Sequence, residues 1–356
     1  MSADLEMIAM LSESARRYAA DRYDFLQRHA VLGEPRGYSG AAWRDYAELG
    51  WLSLCLPESE GGLEADALAV GTVMEVVGSH LLMEPVLASA VVGASLVTRQ
   101  ASAEQQARLL PALADGSLKL ALAAEECAWR NGKLSGAAAG VLHGDVANRF
   151  IVGARDADGG FGLYLVAADS PQVSRKSYRL VDGRGAASAR FDNAEAERLG
   201  DDGSAEAALA AVCDEAVAAL CAEANGIVKI LVATTCDYLK VRRQFGRPIG
   251  DNQALQHRAA DMYLLQQEVA ALTRAAQRAL GQPAAERARI VSGARAYIAN
   301  AARHVANEAV QMHGGLGVTE ELNVSHYFRR LMVNAALFGS RDQHFVRFVD
   351  ATLSKE

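Results

Sequence analysis

"VRRQFGRPIGDNQALQHRAADM", residues 241–262, interrupts a chain otherwise rich in alanine and leucine. Up to Arg243 the sequence reads as a strong amphipathic helix, and another begins at Gln253. Between them stand Phe245, Gly246, Pro248 and Gly250, with Arg242, Arg243 and Arg247 crowded around the break. Such a corner has two readings. Cationic side chains at a helix C-terminus complement the helix dipole, and Gly and Pro merely turn the chain. Alternatively, Arg242 presents a fixed fork of donors suited to a diphosphate. Phe245 would then lie against a planar or apolar group, and Gln253 would meet a heterocycle or sugar. Composition alone favours the first reading.

The flanks of the corner are long helices. Val217, Leu220, Ala224, Val228, Leu231, Thr235 and Tyr238 mark one face of the first, and Leu255, Ala259, Met262, Val269, Leu272 and Ala276 mark a face of the second. The second stops at Gly281 and Pro283, and a third runs from about 284 to the "HGG" at 313–315. Neighbouring helices joined by short corners make a bundle. Upstream, "KLALAAEE", "VANRFIVGAR", "FGLYLVAAD" and "AASARFDNA" are short apolar or alternating runs between Gly, Asp and Asn, as strands are. Residues 1–116 return to helical spacing. Three domains follow: helical 1–116, β 117–202 and a helical bundle 203–356.

The 356 residues carry a net charge of −7, which argues against nucleic acid or an acidic membrane as the main partner. The N-terminal stretch lacks a signal peptide's cationic start, and no continuous apolar run spans a bilayer, so the sequence predicts a cytoplasmic protein without a membrane span. Five scattered cysteines without CxxC spacing read as small buried hydrophobes, not as disulfides or metal ligands.

A second constellation lies in "QMHGGLGVTEELNVSHYFRR". Gln311 sits on the last turn of a helix, followed by Gly314 and Gly315. A glycine pair there is ordinarily a C-cap, yet glycine also lets a backbone approach a ligand closely. GxGxxG, GxxxxGK[ST], GxSxG and HExxH are all absent, and His313 and His326 read as isolated surface or packed histidines rather than as metal ligands.

Together, "RRQFGRPIGDNQALQHRAADM" and the Gln311 segment resemble the acyl-CoA dehydrogenase family of flavoproteins. They match its R-x-x-F-G-x-x-I-x-x-x-Q corner and its Q-x-x-G-G-x-G segment. "AELGWLSLCLPESEGGL" (47–63) and "LLPALADGSLKLALAAEE" agree with two N-terminal stretches of that family, in order. The resemblance implies an α+β fold with an N-terminal helical domain, a middle β-barrel-like domain and a C-terminal four-helix bundle. It also implies FAD as cofactor, an acyl-CoA substrate, an electron-transfer flavoprotein or similar acceptor, and a homodimer, homotetramer or heterotetramer. Carried over, Arg242 would bind the diphosphate, Phe245 would pack near the cofactor, and Gln253 would touch its adenosine half. Gln311, Gly314 and Gly315 would lie along the same FAD, which belongs to a neighbouring subunit.

The sequence departs from the family in the β module and at the base. Where the family has a flavin-facing Thr or Ser, this chain has Ala124 before Glu125, and the second flavin-facing strand brings Leu142 and His143 without an aromatic. The family removes an α-proton with a carboxylate, while the β-hydrogen leaves as hydride. At the commonest place for that Glu this chain has Gly339, after Phe338, and at the alternative place it has Ala216, beside Asp214 and Glu215. Glu215 serves as base only if the helix register slips by one residue, about 100° of rotation. A short chain without the base resembles the small subunits of heteromeric acyl-CoA dehydrogenases, some of which act on steroid side chains. A scaffold subunit of the same fold, or a related flavin monooxygenase or oxidase, remains an alternative.

Overall fold

The computed structural model describes residues 3–200 and 203–353, with the side chains of 3–5 and 124–126 outside the described set. The flavin-facing position expected at Ala124 and Glu125 therefore lies outside the described side chains. In chain order the helices are α1 (Ala3–Arg22), α2 (Phe25–Gly33), α3 (Gly40–Glu48), α4 (Ala67–Ser79), α5 (Ala94–Gln100) and α6 (Ala103–Ala114). The strands β1 (Leu120–Arg130), β2 (Lys133–Leu142), β3 (Arg149–Arg155), β4 (Phe161–Ala167), β5 (Val173–Arg179), β6 (Gly185–Glu195) and β7 (Glu197–Leu199) follow. Then come α7 (Ala205–Val241), the short strands β8 (Arg243–Gln244) and β9 (Arg247–Pro248), α8 (Gln253–Ala279), α9 (Ala284–His313), α10 (Asn323–Ala336) and α11 (Arg341–Leu353).

The chain divides into two compact units. One holds residues 29–66 and 83–216. Its sheet has the order β5-β6-β2-β1-β3-β4-β7, antiparallel throughout except for the parallel β1–β3 pair. Phe150, Val152, Tyr164, Val166, Leu134 and Phe191 fill one face of it. The barrel-like expectation needs one correction: β5 and β7 are the two ends of the order, so the sheet is not closed among the described residues. Its edges are managed by composition instead. β5 (VSRKSYR) is mostly exposed, and β7 is only three residues long, both common ways to blunt an open edge.

The other unit holds residues 1–28, 67–82 and 217–356. Its core runs along α7, α8, α9 and α10 through Val217, Leu220, Val228, Leu231, Met262, Val269, Ile298, Val305 and Leu331. α4 lies close against α7 because neither helix carries a side chain at the crossing. A Cβ at Gly78 would sit 2.1 Å from the Glu223 carbonyl oxygen, and one at Gly226 would sit 2.1 Å from that of Glu75. The apolar stretch of α7 is long enough to cross a bilayer, but it is 83% buried and serves as a core helix.

The interior of this unit is also polar in places. Glu223, fully buried, accepts from Arg330 Nε at 2.7 Å and from Asn334 Nδ2 at 2.7 Å, while Arg330 also donates to the Leu82 carbonyl at 2.8 Å. Arg295 donates to Asn334 Oδ1 at 2.7 Å. Each buried charge thus has partners, without which it would cost several kcal/mol.

Candidate functional site

The corner that opens the sequence is a hairpin. The Arg242 amide still bonds to the Tyr238 carbonyl at 2.8 Å, and the Arg242 carbonyl then accepts from Ile249 N at 2.8 Å, which closes the corner. β8 and β9 pair Arg243 with Pro248 and Gln244 with Arg247. The two-residue loop between them is Phe245-Gly246, with φ of +49° and +81°. Positive φ at both positions is the type I′ arrangement, which suits the twist of a hairpin but is uncommon for Phe. The turn carries Phe245 into solvent at 101% exposure.

The three arginines are not equivalent. Arg243 donates to the Gly246 carbonyl at 3.1 Å, and Arg247 donates to Asn252 Oδ1 at 2.9 Å. Arg242 is exposed and forms no ion pair or side-chain hydrogen bond among the described residues. Gln253 is exposed at the first residue of α8. An unclaimed guanidinium, a presented aromatic ring and an amide are thus grouped on one helix corner.

The second constellation lies at the end of α9. Gln311, Gly314 and Gly315 are exposed. Gly314 adopts φ 62° and ψ −140°, a conformation essentially restricted to glycine, and its amide caps the helix on the Gln311 carbonyl. A Cβ at either glycine would meet nothing within 4 Å, so the space over this backbone is open. A cavity of about 480 Å³ opens beside it, lined by Val310, Gln311, Ser325, Phe328 and Arg329 among others. The two constellations are tied together, because the Tyr238 ring, one turn before Arg242, stacks on His313 with centroids 4.4 Å apart at 28°. Sequence spacing gave no sign of this contact, since the partners are far apart in the chain and His313 read only as an isolated surface or packed histidine.

The positions expected for the base look different. Gly339 follows Phe338 in a loop with φ of +56° and +109°. His344, almost fully buried on α11, donates from Nε2 to the Phe338 carbonyl at 3.0 Å, and its Nδ1 lies 3.3 Å from Ser292 Oγ. A Cβ on Gly339 would sit 3.0 Å from His344 Nε2. The loop is therefore shaped around a residue without a side chain. Ser340 and Gln343 cap α11 reciprocally, which fixes the loop's other end.

In the sheet-containing unit, Ala216 is fully buried and Glu215 is half-buried, gripped by both terminal nitrogens of Arg99, one of them at 2.9 Å from Oε2. The hydrogen bond to Glu215 is the main reason Arg99 holds its proton even more tightly than usual. Leu142 and His143 are both buried, and the His143 amide already donates to the Gly185 carbonyl at 2.9 Å. The His143 amide is therefore already taken.

Known proteins share the chain's sequence pattern and architecture. The model of the acyl-CoA dehydrogenase C-terminal domain matches residues 207–347, and that of the N-terminal domain matches residues 6–117. Acyl-CoA dehydrogenase IpdE2 of Mycobacterium tuberculosis is 29% identical over 93% of this chain and 92% of its own length. Among solved structures, the Tcur3481–Tcur3483 steroid ACAD superposes with a TM-score of 0.89 at 27% identity, covering 99% of both chains. The ChsE4–ChsE5 complex of Mycobacterium tuberculosis superposes with a TM-score of 0.86 at 24% identity, over 100% of this chain and 98% of that one, and so shares the fold.

Proposed function

The chain belongs to the acyl-CoA dehydrogenase family of FAD-dependent oxidoreductases, and on that premise we propose that it works as one subunit of a cytoplasmic heteromer whose partner supplies the catalytic carboxylate. When bound, FAD supplies the two-electron acceptor for α,β-dehydrogenation of an acyl-CoA thioester: the β-hydrogen leaves as hydride while a base takes the α-proton. The residues present fit the phosphate and adenosine half of that cofactor. Arg242 has an unclaimed fork for a diphosphate, and such charge-assisted bonds are the strong kind. Phe245 offers a ring face, Gln253 and Gln311 offer amides, and Gly314 and Gly315 leave the approach open. All six are exposed on the outside of the bundle, as residues serving a neighbouring subunit's cofactor must be.

The observation that carries the heteromer is the shape of the Gly339 loop. A carboxylate is missing there, and the backbone has also taken a conformation that disfavours any side chain. Glu215 is a weak substitute, because its carboxylate is committed to Arg99. The similar Tcur3481–Tcur3483 structure is that of a steroid ACAD, so a steroid-derived acyl-CoA is the first substrate to try. Electrons would then pass to an electron-transfer flavoprotein or a similar acceptor.

The test is anaerobic bleaching of bound flavin by a panel of acyl-CoAs, for the chain alone and co-expressed with a second acyl-CoA dehydrogenase-like chain. Without a positioned base the lone chain should be slower by about 10²–10⁴. Activity should appear with the partner and vanish when the partner's Glu becomes Gln, while Glu215→Gln leaves it unchanged. Fast bleaching by the lone chain that Glu215→Gln abolishes would make Glu215 the base and end the heteromer reading.

A further inference from the structure

His313 belongs to no established role in this chain, yet it lies between the two constellations. It is 3% exposed, the last residue of α9, and directly precedes Gly314. Its Nδ1 is 2.7 Å from the Ala309 carbonyl. A carbonyl only accepts, so Nδ1 carries the hydrogen. Its Nε2 is buried and has no hydrogen-bond partner among the described residues. A cationic ring would leave a buried N–H unpaired at that nitrogen, so the ring is neutral, and burial lowers its basicity further. What the imidazole does make is a stacked face for Tyr238, whose hydroxyl lies 3.5 Å from the His313 carbonyl.

The hydrogen bond to Ala309 needs no imidazole, because that carbonyl already accepts the helical His313 amide, as every i−4 carbonyl inside a helix does. The stack, by contrast, has a consequence for geometry. Tyr238 is one helical turn before Arg242, and its carbonyl receives the Arg242 amide. His313 is two residues after Gln311. A shift of one ring against the other moves the end of α7 relative to the end of α9, and with it the unpaired guanidinium relative to the open glycine backbone. A ligand spanning both corners needs them held at one spacing, and interactions of this kind lose much of their strength with small misplacements.

We propose that His313 is a positioning residue that sets the spacing between the Arg242 corner and the Gln311–Gly315 corner by stacking, in its neutral form, on Tyr238. The inference rests on the reading of both corners as FAD contacts. It assigns His313 no contact with the cofactor; it acts through Tyr238 and the helix end.

The experiment is a double-mutant cycle on FAD affinity, read by flavin fluorescence quenching, in whichever assembly retains the flavin, the chain alone or with its partner. His313→Ala should weaken FAD binding about tenfold, the scale of one well-placed aromatic pair. His313→Phe restores a ring face and should stay within about threefold of the parent. The discriminating arm is the background: with Arg242→Ala already present, His313→Ala should cost less than about threefold, because the contact it positions is gone. An equal tenfold loss in both backgrounds would mean a general structural role and would overturn the proposal, as would no loss at all. Should His313→Ala fail to fold, His313→Leu fills the volume without a ring face and takes its place in the cycle. If Arg242→Ala alone leaves FAD affinity unchanged, the cofactor reading fails, which is a separate outcome from failure of the coupling.

Discussion

Two stretches of this chain are built from the same ingredients and end in opposite environments. "RRQFG" (242–246) and "RRLMVNAALFG" (329–339) each contain an arginine pair and a Phe-Gly step, and in both steps the two residues take positive φ. At the first, Arg242 is exposed and unpaired among the described residues and Phe245 stands fully in solvent. At the second, Arg330 is buried on Glu223, Arg329 is held by Glu320 at 2.9 Å, and Phe338 packs on the core of the helical unit. Gly246 has open space where a Cβ would go, and Gly339 has the His344 ring. The lesson is about which groups are left over. An unpaired guanidinium in water costs little, whereas one in the core would cost several kcal/mol, so only the exposed stretch is free to keep its polar groups for a ligand. The backbone strain is common to both. Inside the fold it is absorbed by packing and hydrogen bonds; at the hairpin tip the strand pairing and the Arg243 bond to Gly246 hold the turn, but no packing of the Phe245 ring within the described chain compensates for a bulky residue there.

The contrast predicts that acid should act on the buried stretch first. His326 on α10 accepts at Nδ1 from Arg28 at 2.9 Å and from Arg329 at 3.2 Å, so Nε2 carries the hydrogen and donates to the Glu320 carbonyl at 3.1 Å. Burial, reinforced by the two guanidiniums, pushes its pKa from 6.5 down to about 4. The unfolded chain then binds the proton and the folded one does not across that window. Stability is fully present above pH 6.5 and falls as pH drops towards 4, by about 3 kcal/mol in total for this group. Denaturant unfolding at a series of pH values measures the slope, and His326→Gln should flatten it. A slope unchanged by that substitution places the acid sensitivity elsewhere.

The exposed stretch should respond in ligand binding and hardly in stability. Arg242→Ala should weaken FAD retention by about one to two orders of magnitude, the equivalent of roughly 1.5–3 kcal/mol for a hydrogen bond to a charged group. Its effect on unfolding should stay within about 0.5 kcal/mol, as for surface residues generally. Lys at this position should recover only part of the affinity, since it keeps the charge and loses the fork. An Arg242→Ala protein that binds FAD like the parent would make the two stretches alike after all.

At Gly339 the prediction is reversed. Gly339→Ala should destabilise the fold by about 1–2 kcal/mol, because a Cβ is strained at that φ and presses on His344. Gly339→Glu should cost at least as much and restore no flavin bleaching to the lone chain. Bleaching by Gly339→Glu would show that the loop yields to a side chain, and that the base was lost by substitution alone.

Much of this was legible before any coordinates. The helix–strand–helix order, the start of α8 at Gln253 and the run of α9 from Ala284 to the HGG step follow from periodicity and turn residues, whereas a cofactor role for the two corners is implied by the family resemblance alone. What stayed hidden depends on contacts between residues distant in sequence. Three arginines around one corner look equivalent until Arg243 and Arg247 are seen bound to their own hairpin. Glu215 reads as a solvated helix carboxylate until Arg99 claims it. The strands β5 and β7 escaped because a charged and a three-residue strand carry weak apolar alternation, and the alanine-rich β2 was reached only through the family resemblance. The Tyr238–His313 stack leaves no periodic trace at all.

The smallest effect should come from Phe245, and it separates fold from function most cleanly. A two-residue loop with positive φ at both positions favours Asn-Gly, because Asn tolerates the left-handed region far better than a bulky aromatic. Phe245 buries nothing within the chain, so Phe245→Asn removes strain without removing packing. The variant should be as stable as the parent or more so, by a few tenths up to about 1 kcal/mol. If the ring is kept at this tip for a cofactor on a neighbouring subunit, the same change should weaken FAD retention several-fold while the melting temperature holds or rises. Those two measurements must move in opposite directions. Were the substitution to lower stability, the ring would have a partner inside its own chain, and the contrast with Phe338 would disappear. Were it to raise stability and leave FAD binding untouched, Arg242 alone would carry the corner, and Phe245 would be an exposed aromatic without a ligand.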